Sequence, residues 1–274
     1  MTPGHSALNS RFDRRAEKAA LQQEIRQSRR AVLVVNTRSR RGARAYSEAR
    51  RRLAQAGMTL EAAYPVRHAE RLPEIVREEI AKGRRFIVIG GGDGTISSAV
   101  DHFAYASVVF GILPLGTANR FARTLGIPLD LTRAIDVLVN GKVADVDLGK
   151  INDDYFANGS SIGMPAIVGR ATRHSLKRLL GRGAYILVAA TKFMHYQPFR
   201  CTVTIDGQQT SFDALDVRIA SGGYQGGVLV AREANPDDGN MVVHISEGRP
   251  GGPWQRSGHG LRWARLSNAA ISRS

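Results

Sequence analysis

Apolar positions along the chain alternate between short continuous runs and helical periods. Residues 31–35 form a β-branched run closed at once by the polar stretch NTRSRRG at 36–42, the pattern of a buried strand entering a loop. Residues 45–56 read as a helix stopped by Gly57, and 58–64 are strand-like. Leu72, Ile75, Val76 and Ile80 then recur at helical spacing, with Glu and Arg on the other face and Gly83 as the stop. Strand patterns at 86–89 and 108–113 are interleaved with helical patterns at 95–103, 119–125 and 131–139. Such alternation predicts βαβ units around a parallel sheet.

The alternation stops near residue 143. Strand-like segments follow at 143–148, 155–158, 199–205, 213–220, 228–230 and 241–245, interrupted by one helical stretch at 165–195. Asp206-Gly207 between two β runs reads as a hairpin turn. The expected fold is α/β: an N-terminal doubly wound parallel-sheet domain, then a mostly β, sandwich-like domain. The expected division is 1–30 as a basic extension or surface helix, 31–142, 143–247, and an atypical tail at 248–274. That tail holds five arginines and no acidic residue, and it does not read as the end of a β domain.

Composition narrows the class. At 274 residues and 29.8 kDa, with 43% hydrophobic and 23% charged positions, the chain is globular. Its single cysteine, Cys201, excludes an internal disulfide. The apolar runs fall far short of the roughly 20 residues that span a bilayer, and the N-terminus lacks the apolar core of a signal peptide. A cytoplasmic chain is expected. The net charge of +15 points to an anionic partner: nucleotide, nucleic acid or acidic lipid. The charge is uneven. Residues 1–52 carry 14 basic and 4 acidic side chains, residues 53–248 carry 20 of each, and 249–274 carry 5 and none. No recognition motif supports nucleic acid, and none is expected as a partner.

Two loops carry the chemistry. In FIVIGGGDGT (86–95), a buried strand runs into Gly90, Gly91 and Gly92, and Asp93, Gly94 and Thr95 lead into a helix. Glycines permit close backbone approach to a ligand, and a helix start offers free N–H groups to phosphate. Asp93 is placed to orient a ribose hydroxyl, hold Mg²⁺ through water, steer a phosphate, or merely cap a turn. LPLGTANRFA (113–122) repeats the strand, glycine loop and helix, with Gly116, Thr117 and Asn119 at the strand's C-terminal end. Ligands in open α/β sheets gather at that end, so one shared nucleotide site is expected. NTRSRRG, starting at Asn36, is a third loop, whose Arg38, Arg40 and Arg41 can face phosphates. There is no G-x-G-x-x-G fingerprint, no P-loop, no zinc-ligand spacing and no G-x-S-x-G elbow.

With FANGSSIGMPA (156–166), KRLLGRGAY (177–185) and NPDDG (235–239), these loops resemble the bacterial diacylglycerol kinase-like lipid kinases over residues 31–247. The family includes the diacylglycerol and sphingosine kinase catalytic domains. GGDGT alone is shared with NAD kinases and phosphofructokinases. The resemblance implies transfer of the γ-phosphoryl of ATP to a lipid hydroxyl, with diacylglycerol as default acceptor, at a cleft between the two domains. It implies nucleotide contacts from Gly91, Gly92, Asp93, Gly94, Thr95, Ile96 and Ser97 and from Gly116 and Thr117, to which the loop reading adds Asn119 and Asn36. It also implies a Mg²⁺ site at Asp238, with Asn235 and Asn240 at its flanks, together with peripheral contact at an anionic membrane surface and a homodimer.

Three positions depart from the family pattern. Ser97 and Ser98 stand where many members have Asn-Glu, and Arg120 stands where GTANDFA has Asp. Members also close with a D-G-E motif whose acid is the proposed base, and no Asp or Glu follows Glu247 here. The reading expects a truncated or frame-shifted C-terminus from near Gly248, no assignable catalytic base, and weak or absent turnover. The alternatives are a NAD kinase-like or other GGDGT enzyme, or an inactive ATP- or membrane-binding remnant.

Overall fold

The computed structural model describes residues 4–163, 197–205, 208–220, 224–225, 228–229, 241–247, 264–266 and 269–273. Four parallel strands, β1 (Arg30–Asn36), β2 (Thr59–Val66), β3 (Phe86–Gly91) and β4 (Val109–Pro114), lie in the order β2-β1-β3-β4. Around them are α1 (Gly4–Ser28), α2 (Arg40–Gln55), α3 (Leu72–Ala81), α4 (Asp93–Phe103), α5 (Arg120–Thr124) and α6 (Leu131–Asn140).

The strand period sorts the core into two layers. Val32, Val34, Ile87, Ile89 and Ile112 pack with Leu72 and Val76 of α3 and Ile96 and Ala99 of α4. Their sequence neighbours Leu33, Val35, Val88 and Leu113 face the other way, onto Ala49 and Leu53 of α2 and Ala134 and Ile135 of α6. Helices thus cover both faces, the doubly wound arrangement. It explains why β1 and β3 read as continuous apolar runs rather than alternating ones. Each buried Val, Leu or Ile side chain contributes about 1.5–3 kcal/mol.

Helix α2 starts earlier than the apolar period suggests. Ser39 is its N-cap, accepting the Gly42 N–H at 3.0 Å, so Arg40, Arg41 and Gly42 belong to a first turn rather than to a loop. Both α2 and α3 are followed by a glycine at positive φ, Gly57 at 77° and Gly83 at 79°. Within α3, Glu79 is only 1% exposed and accepts from Tyr64 Oη (2.9 Å), Lys82 Nζ (2.6 Å) and Arg84 Nε (3.2 Å). Burial by itself raises the Glu79 pKa, but these three donors outweigh it and hold the carboxyl below its ordinary value.

The expected strand at 143–148 does not form. The segment has no ladder partner and docks on α1: Val143 N–H donates to Gln22 Oε1 at 2.9 Å, and Asp145 pairs with Lys18 at 2.7 Å. Residues 1–30 are therefore largely a helix, α1, tied to the body by side chains.

The later strands are β5 (Gly149–Ile151), β6 (Asp154–Phe156), β7 (Gly159–Gly163), β8 (Phe199–Ile205), β9 (Gln208–Ala220), β10 (Tyr224–Gln225), β11 (Val228–Leu229), β12 (Met241–Glu247), β13 (Ala264–Leu266) and β14 (Ala269–Arg273). The chain divides into two compact units, 1–158 with 224–230, and 159–223 with 231–274. Hairpins β5–β6 and β10–β11 belong to the first. The second holds an antiparallel sheet in the order β13-β12-β9-β8-β14, with β7 also on β9. Its core includes Cys201 and Val203 of β8, Val217 and Ile219 of β9, and Val242, Val243 and Ile245 of β12. Burial pushes the Cys201 thiol pKa up.

Contrary to the sequence expectation, the tail supplies β strands: β13 pairs with β12 and β14 with β8. Edge strands of three and five residues are too short to impose a visible period. Ile205 pairs with Gln208, while the turn residues Asp206 and Gly207 and the helical stretch expected at 165–195 lie outside the described residues.

Candidate nucleotide site

Strands β3 and β4 are hydrogen-bonded neighbours, so their two C-terminal glycine loops emerge side by side. Leu115 N–H donates to Gly91 C=O at 2.9 Å, joining the loops just beyond the ladder. Past that bond the backbones touch. An ideal Cβ built on Gly116 would lie 2.5 Å from Gly92 Cα, and one on Gly92 would lie 3.1 Å from Gly116 Cα. Gly91 leaves no room for a Cβ against the Thr95 side chain. Neither Gly91, Gly92 nor Gly116 has a positive φ. These glycines are required by close packing, not by a left-handed turn.

Helix α4 begins at Asp93, two residues before the expected Thr95, with Gly92 as an N-cap that has no side chain to bond the first N–H groups. The leading N–H groups of a helix lack intrahelical partners, so this end of an 11-residue helix offers donors and positive potential beside the loop junction. Thr95 is buried, and its Oγ1 accepts from Asn36 Nδ2 at 3.1 Å, which fastens the end of β1 to the same helix start. Ile96 is spent in the core, while Gly94, Ser97 and Thr117 are exposed.

Asn119 builds the second loop. Buried and left-handed at φ 47°, ψ 48°, it accepts the Gly116 N–H through Oδ1 and donates to Gly116 C=O through Nδ2, both at 2.8 Å. Asparagine tolerates this backbone better than most residues. Asp93 does not cap its own helix: Oδ1 accepts the backbone N–H of Arg120 at 2.6 Å, and Oδ2 lies 3.7 Å from Arg120 Nε. The structure thus brings Asn36, Gly91, Gly92, Asp93, Thr95, Gly116 and Asn119 into one bonded cluster. Asn235, Asp238 and Asn240 lie outside the described residues.

A groove of about 710 Å³ adjoins the ends of β1 and β2, lined by Thr37, Arg38, Ser39, Arg67 and His68 among others. Thr37 is buried, and its Oγ1 has no hydrogen-bond partner among the described residues. Sequence reading missed Arg67 and His68, because nothing local marks the end of β2 as a neighbour of NTRSRRG. Parallel pairing of Asn36 with Val66 brings them there. Ser39 three residues before Gly42 was the one local signal, that of an N-cap.

Comparison with known proteins accords with this geometry. Residues 30–151 match the family described as the diacylglycerol kinase catalytic domain, and 159–251 match the YegS C-terminal NAD kinase beta sandwich-like domain. Curated relatives named "Probable lipid kinase YegS-like" include one from Chromohalobacter salexigens, 34% identical over 176 residues (62% of this chain and 57% of that protein). Another, from Shewanella frigidimarina, is 31% identical over 199 residues, covering 70% and 64%. The chain thus spans about three fifths of the length of these relatives. A crystal structure of a diacylglycerol kinase from Bacillus anthracis superposes with TM-score 0.66 at 21% identity, over 89% of this chain and 85% of the other. A second structure from that organism gives 0.71 at 22%, over 89% and 84%.

The fold and the two matched segments define a two-domain kinase architecture, α/β followed by a β sandwich-like domain. The chain belongs to the diacylglycerol kinase-like lipid kinase family.

Proposed function

We propose that this chain is an ATP-dependent lipid kinase that transfers the γ-phosphoryl group to a lipid hydroxyl, with diacylglycerol as acceptor and phosphatidic acid as product. The observation that carries the reading is the backbone contact of Gly92 with Gly116. It joins two glycine loops and the start of α4 into one surface at the C-terminal ends of adjacent parallel strands. Phosphoryl transfer asks mainly for phosphate positioning and charge stabilisation, and such a surface suits both. The groove adds the guanidinium groups of Arg38 and Arg67 nearby, with His68 and Glu70 paired at 3.4 Å on its wall. In the reaction the lipid oxygen attacks Pγ, the Pγ–O bond to ADP breaks, and the alcohol proton passes to a base that the described residues do not identify.

Mg²⁺ is proposed on family grounds to neutralise the phosphates. Among the described residues no group of three or more His, Cys, Asp or Glu stands together to hold a metal. Contact with an anionic membrane surface is proposed from the basic charge, since a lipid acceptor must be met there. Among the described residues no helix is long and apolar enough to cross a membrane.

The test is incubation with γ-labelled ATP and Mg²⁺ against diacylglycerol, sphingosine, phosphatidylglycerol and NAD in parallel. Labelled phosphatidic acid is the expected product. Label on sphingosine or phosphatidylglycerol instead changes the acceptor. Label on NAD alone, or ATP binding without turnover on any acceptor, overturns the proposal.

A further inference from the structure

Arg120 occupies an unusual position at the loop junction. Its backbone N–H is committed to Asp93 Oδ1 at 2.6 Å, which fixes where the residue sits. Its Nε lies 3.7 Å from Asp93 Oδ2, beyond hydrogen-bonding distance but close enough for the charges to interact. The two terminal guanidinium nitrogens have no hydrogen-bond partner among the described residues, and the side chain is 42% exposed, against 22% for Asp93.

Charge makes this arrangement consequential. Between Gly90 and Ser98, and between Leu113 and Asn119, Asp93 is the one ionisable side chain. A polyphosphate seated on these loops would meet an acidic group and, without Arg120, no cation from either loop. Guanidinium carries five N–H donors in a planar fork, so it can keep one edge toward a carboxylate and present the other to a phosphate bidentately. Arg123 lies outside both loops and donates its Nε to Ala118 C=O at 3.0 Å.

We propose that Arg120 grips the phosphate tail of the bound nucleoside triphosphate while its pairing with Asp93 keeps the two glycine loops in register. The proposal rests on the ATP reading above and names a residue that deepens it. Asp93 is then the positioning partner, and the selectivity of the site for triphosphate over monophosphate resides largely in Arg120.

The experiment is calorimetric titration of the full chain with ATP, AMP and adenosine, comparing the protein with Arg120→Gln and Arg120→Lys. Urea midpoints without ligand control for folding. Loss of a charged hydrogen bond predicts that R120Q weakens ATP binding by about tenfold or more, leaves adenosine within about twofold, and that R120K recovers part of the loss. R120Q binding ATP within twofold of the unsubstituted chain overturns the proposal. So does an equal loss of ATP and adenosine with a lowered urea midpoint, which marks a purely structural clamp. An unsubstituted chain that fails to bind ATP overturns the kinase reading itself, a result distinct from either.

Discussion

A Cβ at Gly116 meets first the Gly92 backbone, 2.5 Å from its Cα, and then Asn119 Oδ1 at 2.8 Å, so relief requires the two loops to part and the Asn119 bonds to shift. Gly116→Ala is expected to cost about 1–3 kcal/mol, read from the urea midpoint, and to weaken ATP binding in the same preparation. Gly94 supplies the contrast. It lies in the first turn of α4 with nothing within 4 Å of an added Cβ, so Gly94→Ala should be neutral or slightly stabilising. Acid sensitivity is also legible in single residues. His244 is held below its usual 6.5 by burial and by Arg218, so the unfolded chain binds a proton first and stability declines as pH falls below about 6.5. Glu79 adds a second loss. Its contribution is complete above the ordinary carboxylate range near 4.3 and fades as pH drops through its lower native value. Urea midpoints from pH 8 to pH 3 should fall in these two stages, with His244→Gln removing the upper and Glu79→Gln flattening the lower.

Among the elements, the four parallel strands and the helices between them were readable because each buries a long face whose period survives in the sequence. Both glycine loops were readable for the same local reason. What escaped depended on partners remote in sequence. VADVDL at 143–148 alternates like a strand, yet a strand exists only where a ladder receives it, and here Gln22 and Lys18 of α1 take the backbone and the charge instead. GSSIG, which forms β7, lacks the β-branched density that marks a strand and is held by Val217 and Ile219 of β9 across the ladder. The bond from Asp93 to Arg120 spans 27 residues and could not be told from a local cap. Helix α2 offers a test at this scale. Its N-terminal side-chain cap is Ser39, which lines the Arg38–Arg67 groove. Ser39→Ala should lower stability by about 1 kcal/mol in a urea titration, with α2 fraying first in hydrogen exchange.

For the whole molecule, the +15 charge resolves into a strongly basic first 52 residues, a neutral body and a basic final 26. A protein drawn to anionic lipid by such segments should bind phosphatidylglycerol vesicles at low ionic strength and release them as salt shortens the screening length. Co-sedimentation with phosphatidylglycerol–phosphatidylcholine vesicles should show most of the chain bound near 50 mM salt and little near 500 mM. Phosphatidylcholine alone should retain almost none.

The two edge strands β13 and β14 give the second unit a timing problem. Among the described strands of its sheet they are the last to leave the ribosome, and they cover β12 and β8. Nearly all of the first unit lies within residues 1–158 and can begin to consolidate during synthesis. The second must wait with two strand edges open, each a template for pairing with another nascent chain. Yield on expression should therefore respond to translation speed and chaperone supply through this sheet, and slower growth at low temperature should favour soluble protein.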